Sequence, residues 1–395
     1  MSWSKMMMET WKLKGAALVC LCVLAFSAPA AGQQTQDVLA EMVRAAASGN
    51  IHAVEKLLEG GADANAADDE GTTALMAAAA WNRTGIAKLL LEREADINAK
   101  RTDGRTALMV AARGDHAEML ALLAARGADV KVVDKQGWTA LHYAAKGRKV
   151  EPAGILLEAG ADPNAGAARS AVTPVILAAG SMQEKALEIL SELLGAGGDA
   201  NSAGKDGWTA LMSAVRRNGT KRIILLLDAG AKVSAAAEDG RTALSVAARQ
   251  ARGALVSLLL DRGAEVNGAG SGATPLTSAV LSKSAEVVQA LLNAKADVDL
   301  AGKDSKTPLI LAASLGEDEL VRSLLDAGAK VNLPNETDGT TALMWAANTG
   351  AMSTVRLLLE AGARADLKAH DGWTAVDAAR NAGHEDIAAL LARDI

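Results

Sequence analysis

The amino-acid sequence predicts an all-α solenoid, a curved elongated rod of stacked helix-turn-helix units joined by hairpin loops, and three observations lead there. The string Gly-x-Thr-Ala-Leu recurs at intervals of 33 residues, from Gly71, Gly104 and Gly137, and returns from Gly207, Gly240, Gly339 and, ending in Val, Gly372. A closing block follows each opening: Leu57-Leu58-Glu-Gly-Gly-Ala-Asp-Ala-Asn65, Leu156-Leu157-Glu-Ala-Gly-Ala-Asp-Pro-Asn164 and Leu324-Leu325-Asp-Ala-Gly-Ala-Lys-Val-Asn332. A fixed period of this length marks a repeat architecture. Finally, half of the 395 residues are apolar, yet Phe and Tyr number one each. The apolar mass is Ala, Leu and Val, which suits close helix-on-helix packing: Ala lets two helices approach and Leu fills the seam between them.

The first thirty residues read as a leader. Lys5, Lys12 and Lys14 precede an uncharged run from Gly15 to Ser27, and Ala28-Pro29-Ala30 places small residues where a signal peptidase cuts. The run is about a dozen residues against the roughly 20 that span a bilayer, so cleavage is favoured over anchoring and the expected location is the periplasm or the extracellular space. Both cysteines, Cys20 and Cys22, fall inside the leader. The mature chain therefore has no thiol for a disulfide or a metal. Cleavage removes three lysines and Glu9 from 41 basic and 47 acidic residues, so 38 face 46 and the formal charge is −8. A chain of that sign is a poor nonspecific ligand for nucleic acid.

Residues 37–68 hold a helix pair without an opening string and read as an N-terminal capping repeat; residues 69–370 hold nine full units. Residues 371–395 read as a C-terminal capping repeat, ending with polar Asn381, His384, Glu385, Asp386 and Arg393. Within a unit, Thr73 and its equivalents cap the first helix through a side-chain oxygen, with Ala or Pro at the first helical position, where a missing backbone donor costs nothing. In the second helix Val54, Leu57 and Leu58, like Val355, Leu358 and Leu359, fall on one apolar stripe. The next glycine, Gly60 or Gly160, is expected to supply the left-handed residue that stops that helix. Asp-Gly pairs beginning at Asp103, Asp206, Asp239, Asp338 and Asp371 favour a tight turn. One such unit buries too little apolar surface to offset the entropy of ordering it, so stability has to come from stacking.

The opening and closing blocks resemble the ankyrin repeat, whose pattern joins Gly-x-Thr-Pro-Leu-His to Leu-Leu-x-x-Gly-Ala-x-x-Asn, over about residues 37–393; Thr173-Pro174, Thr274-Pro275 and Thr307-Pro308 restore the family's proline. The family's His survives only at His142. Met76, Met109, Met212 and Met344 replace it elsewhere, which puts a polar tie between repeats in doubt and points to apolar contact there. The resemblance implies a monomeric binding module for a protein partner, without a cofactor, whose hairpin tips and first helices line a concave face.

On that resemblance three positions per repeat meet a partner: the residue before the capping Thr and those seven and eight after it. They include Trp81, Arg105, Arg113, Trp138, Lys146, Trp208, Arg216, Arg217, Arg241, Arg249, Lys306 and Trp373, and no acid. Trp and Arg dominate binding hot spots, and the guanidinium fork suits carboxylates, so a partner with an acidic surface fits. The plainer reading is that Arg105 and Arg241 neutralise Asp103 and Asp239 while each Trp covers the repeat beside it. An anionic envelope polymer is the alternative ligand.

No catalytic or metal centre is legible. His52, His116, His142, His370 and His384 lack the three- or four-residue spacing of a metal pair, no Gly-x-Ser-x-Gly elbow occurs, and the carboxylates recur at turn positions, which argues for structure. Gly268-Ala-Gly-Ser-Gly272 falls in a turn and lacks the Lys-Ser or Lys-Thr of a phosphate loop. The period falters around Gly166–Ser181, as either a specialised joint or a neutral surface insertion. Asn82, Asn218 and Asn335 open Asn-x-Thr triplets that a eukaryotic host would read as glycosylation sites and that chance also produces.

Overall fold

The computed structural model describes residues 31–393 except 148, 169, 269–273 and 303, with side chains from residue 37 onward. The leader and most of the glycine-rich turn after Gly268 lie outside the described residues. Within them stand 22 helices in eleven consecutive pairs, from Ala31–Ser48 with Ile51–Glu59 to Ala375–Asn381 with Glu385–Leu391, and no strand. Each first helix packs on the first helix of the next pair, and along most of the array second helices pack on the next second helix. The opening helix, at 18 residues, reaches back to Ala31, beyond the expected boundary at 37.

The Thr caps form as the sequence requires. Thr73, Thr106, Thr173, Thr209, Thr242, Thr274, Thr307, Thr341 and Thr374 each accept the N–H three residues on, as at Met212 N to Thr209 Oγ1, 3.2 Å. Such a cap is worth about 1 kcal/mol. The helix that follows is short and flanked on both sides. In Ala210–Arg216 every residue up to Val215 is buried, so Arg216, seven after the Thr, is the first to emerge. The second helices bury one stripe, Val54 and then Val355 with Leu358, while Leu57, Leu58 and Leu359 are partly buried against it.

Three sets of hydrogen bonds join the repeats. At the hairpins, Thr102 N donates to Glu70 O (2.8 Å), Lys135 N to Asp103 O (2.9 Å), Glu238 N to Asp206 O (2.9 Å) and His370 N to Asp338 O (2.8 Å). At the opposite side, the closing Asn bridges to the next unit: Asn201 Nδ2 donates to Gly230 O (3.2 Å) while its Oδ1 accepts Lys232 N–H (2.8 Å), and Asn164 and Asn332 repeat the arrangement. Between them, carbonyls at the ends of first helices accept from the following repeat, as Ala80 O does from His116 Nε2 (3.0 Å) and Arg216 O from Gln250 Nε2 (3.1 Å).

His142 makes the polar tie the sequence pattern implied. Its Nδ1 accepts Thr139 N–H (3.1 Å), which leaves the proton on Nε2 to donate to Val172 O in the next repeat (3.0 Å). Met76, Met109, Met212 and Met344 fill the equivalent place and are buried in the core, so apolar contact does replace the imidazole. The left-handed residue after the first closing block is Gly61 (φ +86°), and Gly60 ends the helix at φ −75°, contrary to expectation; Gly160 (φ +83°) conforms. Gly61 and Gly160 are equivalent positions of the closing block, and Gly60 stands where the other block has Ala159, so the turn is the same in both.

The irregular stretch keeps its rung: Ala171 takes φ +51°, Ala167 N donates to Val172 O (3.0 Å), and Lys205 N reaches Ser170 O (2.9 Å). One extra residue lies in the hairpin, whose closing bond from Ala167 to Val172 spans five residues where that from Arg101 to Arg105 spans four; the others lie in the connection 181–184, where Met182 is 72% exposed, and in an 11-residue second helix, Lys185–Gly195.

Two outcomes follow. Gly127→Ala and Gly137→Ala both force a side chain into positive φ, at roughly 1 kcal/mol. A Cβ at Gly127 meets nothing within 4 Å whereas one at Gly137 overlaps the Ala168 backbone. Denaturant titration should therefore show Gly137→Ala markedly less stable than Gly127→Ala; equal values would contradict the close hairpin approach. Burial holds His142 below its ordinary 6.5, against the opposing pulls of Val172 O and Asp134. The folded chain binds fewer protons there than the unfolded chain. Stability is full above about pH 6.5 and falls as pH drops through that value. His142→Met should remove that component of the acid loss in melts run from pH 8 to pH 5.

Candidate binding surface

The fold brings the expected face residues together through rings and cations. Within one repeat the hairpin residue meets the end of the first helix: Lys146 Nζ lies 4.6 Å from the Trp138 ring centre and Arg216 Cζ 5.0 Å from that of Trp208. Across a seam, Arg241 Cζ lies 4.8 Å from the same Trp208 ring. Two aromatic residues that the sequence reading missed complete the set: Lys306 Nζ sits 3.7 Å from the Trp345 ring centre, and Arg105 Cζ 5.6 Å from that of Tyr143. Both rings stand four residues after a capping Thr, one helical turn in and beneath the hairpin. That spacing was the available signal.

The neutralising reading holds for two arginines. Arg241 Nε donates to Asp239 Oδ2 (2.6 Å), and Arg105 Nε lies 3.5 Å from Asp103 Oδ2 while donating to Tyr143 Oη (3.0 Å). Tyr143 in turn donates to Asp134 Oδ2 (2.6 Å). Burial first, and that bond second, push its hydroxyl up to about 12, so it remains a donor at any physiological pH. Arg249 is drawn into a seam, its Nη1 donating to Leu281 O (2.8 Å). Lys146, Arg113, Arg216, Arg217 and Lys306 make no ion pair with a carboxylate among the described residues. All but Lys306 are exposed.

The tryptophans divide into two kinds. Trp138 and Trp208 are half-buried: Trp138 stacks on His142 (5.7 Å) with Tyr143 edge-on (5.3 Å), and Trp208 Nε1 donates to Ser213 Oγ (3.0 Å). They brace the hairpins, so replacing them would loosen the fold. Trp81 and Trp373 are 62% and 44% exposed. Trp373 and Trp345 wall an open cleft of about 200 Å³, with Met344, Asn348 and Asp371 among its lining.

Among the described residues no group of three or more His, Cys, Asp or Glu is arranged to hold a metal ion, and no helix is long and apolar enough to cross a membrane. His116, His142 and His370 bond to neighbouring repeats, and His52 is exposed. Of the Asn-x-Thr sites, Asn82 and Asn218 are exposed. Asn335 is buried, its Nδ2 donating to Asp304 O (3.3 Å) and its Oδ1 accepting Thr337 N–H (2.7 Å), which closes it to a glycan in the folded chain.

A family model described as ankyrin repeats in three copies matches residues 20–101, 96–167, 175–269, 266–335 and 331–395, with its one gap at the irregular hairpin. A search of curated proteins found no match. With this match over nearly all its length and helix pairs joined by hairpin rungs, the chain belongs to the ankyrin-repeat family.

Proposed function

We propose that this chain is an exported, monomeric interaction module that recruits, inhibits or scaffolds a protein with an acidic surface, held along the concave hairpin and first-helix face. Ankyrin repeats are generally protein–protein interaction modules and typically non-enzymatic binding scaffolds. The observation that carries the finer reading is the row of cations seated on rings. Lys146, Arg216 and Lys306 rest on aromatic faces and pair with no carboxylate among the described residues. A ring restricts the side chain before any partner arrives, so less rotamer entropy is lost on binding. It also leaves the charge directed outward for an incoming carboxylate. The covered ring faces are poor platforms for stacking bases, which weighs against nucleic acid. Export rests on the charged, apolar and small-residue order of residues 1–30.

Two experiments test this. The triple variant Lys146→Glu, Arg216→Glu, Arg217→Glu changes only exposed positions and keeps Trp138 and Trp208, so its helical content should stay near that of the parent, with a melting temperature lowered by no more than the loss of two cation–ring contacts, about 1 kcal/mol each. Its capture of the cross-linked partner, identified by mass spectrometry from the native compartment, should fall at least about tenfold. Undiminished capture, or recovery of an envelope polymer in place of a protein, would refute the reading. N-terminal sequencing of the native protein should begin near Ala31; a retained Met1 would remove the case for cleavage.

A further inference from the structure

The cations on the concave face come from two fixed places. One is the seventh residue after the ring's own capping Thr, which supplies Lys146 to Trp138 and Arg216 to Trp208. The other is the hairpin residue of an adjacent repeat, which supplies Arg241 to Trp208, Lys306 to Trp345 and Arg105 to Tyr143. Trp373 holds the same hairpin position as Trp138 and Trp208, but neither place serves it. Its own seventh residue is Asn381, and the preceding hairpin offers Thr340. No cation lies over its ring among the described residues, and it is 44% exposed.

We propose that the cleft between Trp345 and Trp373 is a subsite for a cationic side chain, arginine or lysine, of the partner protein, which supplies from outside what the other hairpin tryptophans receive from their own chain. The cleft has the chemistry for it. Two indoles, rings whose faces attract cations, wall the cleft, and Asp371 lines the same space. Asp371 Oδ1 accepts Trp373 N–H (3.0 Å), which fixes the carboxylate at the foot of the ring; the group is exposed and makes no ion pair among the described residues. Lys306 contributes one positive charge on Trp345. Asp338 stands against it, joined to that ring through Thr340, whose Oγ1 accepts from Trp345 Nε1 (2.9 Å) and donates to Asp338 Oδ1 (2.6 Å). Two carboxylates, Asp371 and Asp338, therefore stand against one ammonium, Lys306, at these rings, while the nearby Lys368 and Arg380 are set against Asp377. This subsite rests on the interaction-module reading and adds a direction to it: the partner carries acid where it meets the middle repeats and a basic side chain at Trp373.

The test uses N-acetyl-arginine methylamide, with the citrulline analogue as its neutral isostere, titrated into the full mature chain. The indole N–H signal of Trp373, assigned with Trp373→Phe, is followed by NMR. The arginine probe should shift that signal and the citrulline probe should not. Asp371→Asn keeps the acceptor for Trp373 N–H and should weaken the arginine probe about two- to fivefold. An equal response to citrulline, or an unchanged affinity in Asp371→Asn, overturns the subsite. The probe needs no partner, so the outcomes separate. Loss of the arginine response with capture intact refutes the subsite alone, and an arginine response beside failed capture refutes the interaction reading alone.

Discussion

Everything in this molecule depends on how closely one first helix can lie against the next. The fifth and sixth residues after the capping Thr are an alanine pair in most repeats, Ala78-Ala79, Ala111-Ala112, Ala144-Ala145, Ala178-Ala179, Ala247-Ala248, Ala312-Ala313 and Ala346-Ala347, all without solvent exposure. The sixth position also admits Val215 and Val280, but at the fifth, alanine in every repeat with a capping Thr, a larger side chain would hold the helices apart. The hairpin N–H groups would then lose the carbonyls of the preceding hairpin, and the bridging Asn side chains would lose the following turn. Small residues, rungs and bridges are thus one device. The device operates between units, because no single unit has enough interior of its own.

What the sequence disclosed follows from how local each interaction is. Thr caps were legible because donor and acceptor are three residues apart. The closing Asn was visible as a pattern, yet its task was hidden, since both of its bonds run to the next repeat, about 30 residues away. The same distance hid Trp345 and Tyr143, whose cations Lys306 and Arg105 stand in the preceding unit. Gly60 was misread because two adjacent glycines are equally permissive; aligning the closing blocks sets Gly61, not Gly60, against Gly160. The irregular hairpin was recognised from spacing, but spacing gave no sign that Ala171 takes glycine's conformation and keeps the rung.

In a chain that is acidic overall, many of the acids are engaged by the backbone. Asp68 Oδ1 accepts the N–H groups of Glu70 (3.0 Å) and Thr72 (2.7 Å), and Asp134 Oδ1 those of Gln136 and Trp138 (both 2.9 Å). Asp63, Asp96, Asp129, Asp162, Asp199 and Asp297 each accept the N–H two residues on, in the turn after the second helix. These carboxylates hold turns in place, whereas the lysines and arginines emerge where short first helices run out of neighbours. Charge separation on the surface is therefore a by-product of backbone geometry.

The connection 181–184 shows where such an array accommodates change. It carries added length while the rungs on either side of it persist, because among the described residues no inter-repeat bridge between backbones passes through the link from first to second helix. Length added there stays a private matter of one unit, and the single residue added at the hairpins Ala167–Val172 and Asn335–Thr340 is likewise absorbed at the tip, with the rungs from Ser170 and Asp338 to the next hairpin intact. Loss or duplication of a whole 33-residue module would leave each remaining bridge satisfied. The architecture thus behaves as a ruler that evolution can lengthen or shorten by whole graduations, with ornament permitted on its back.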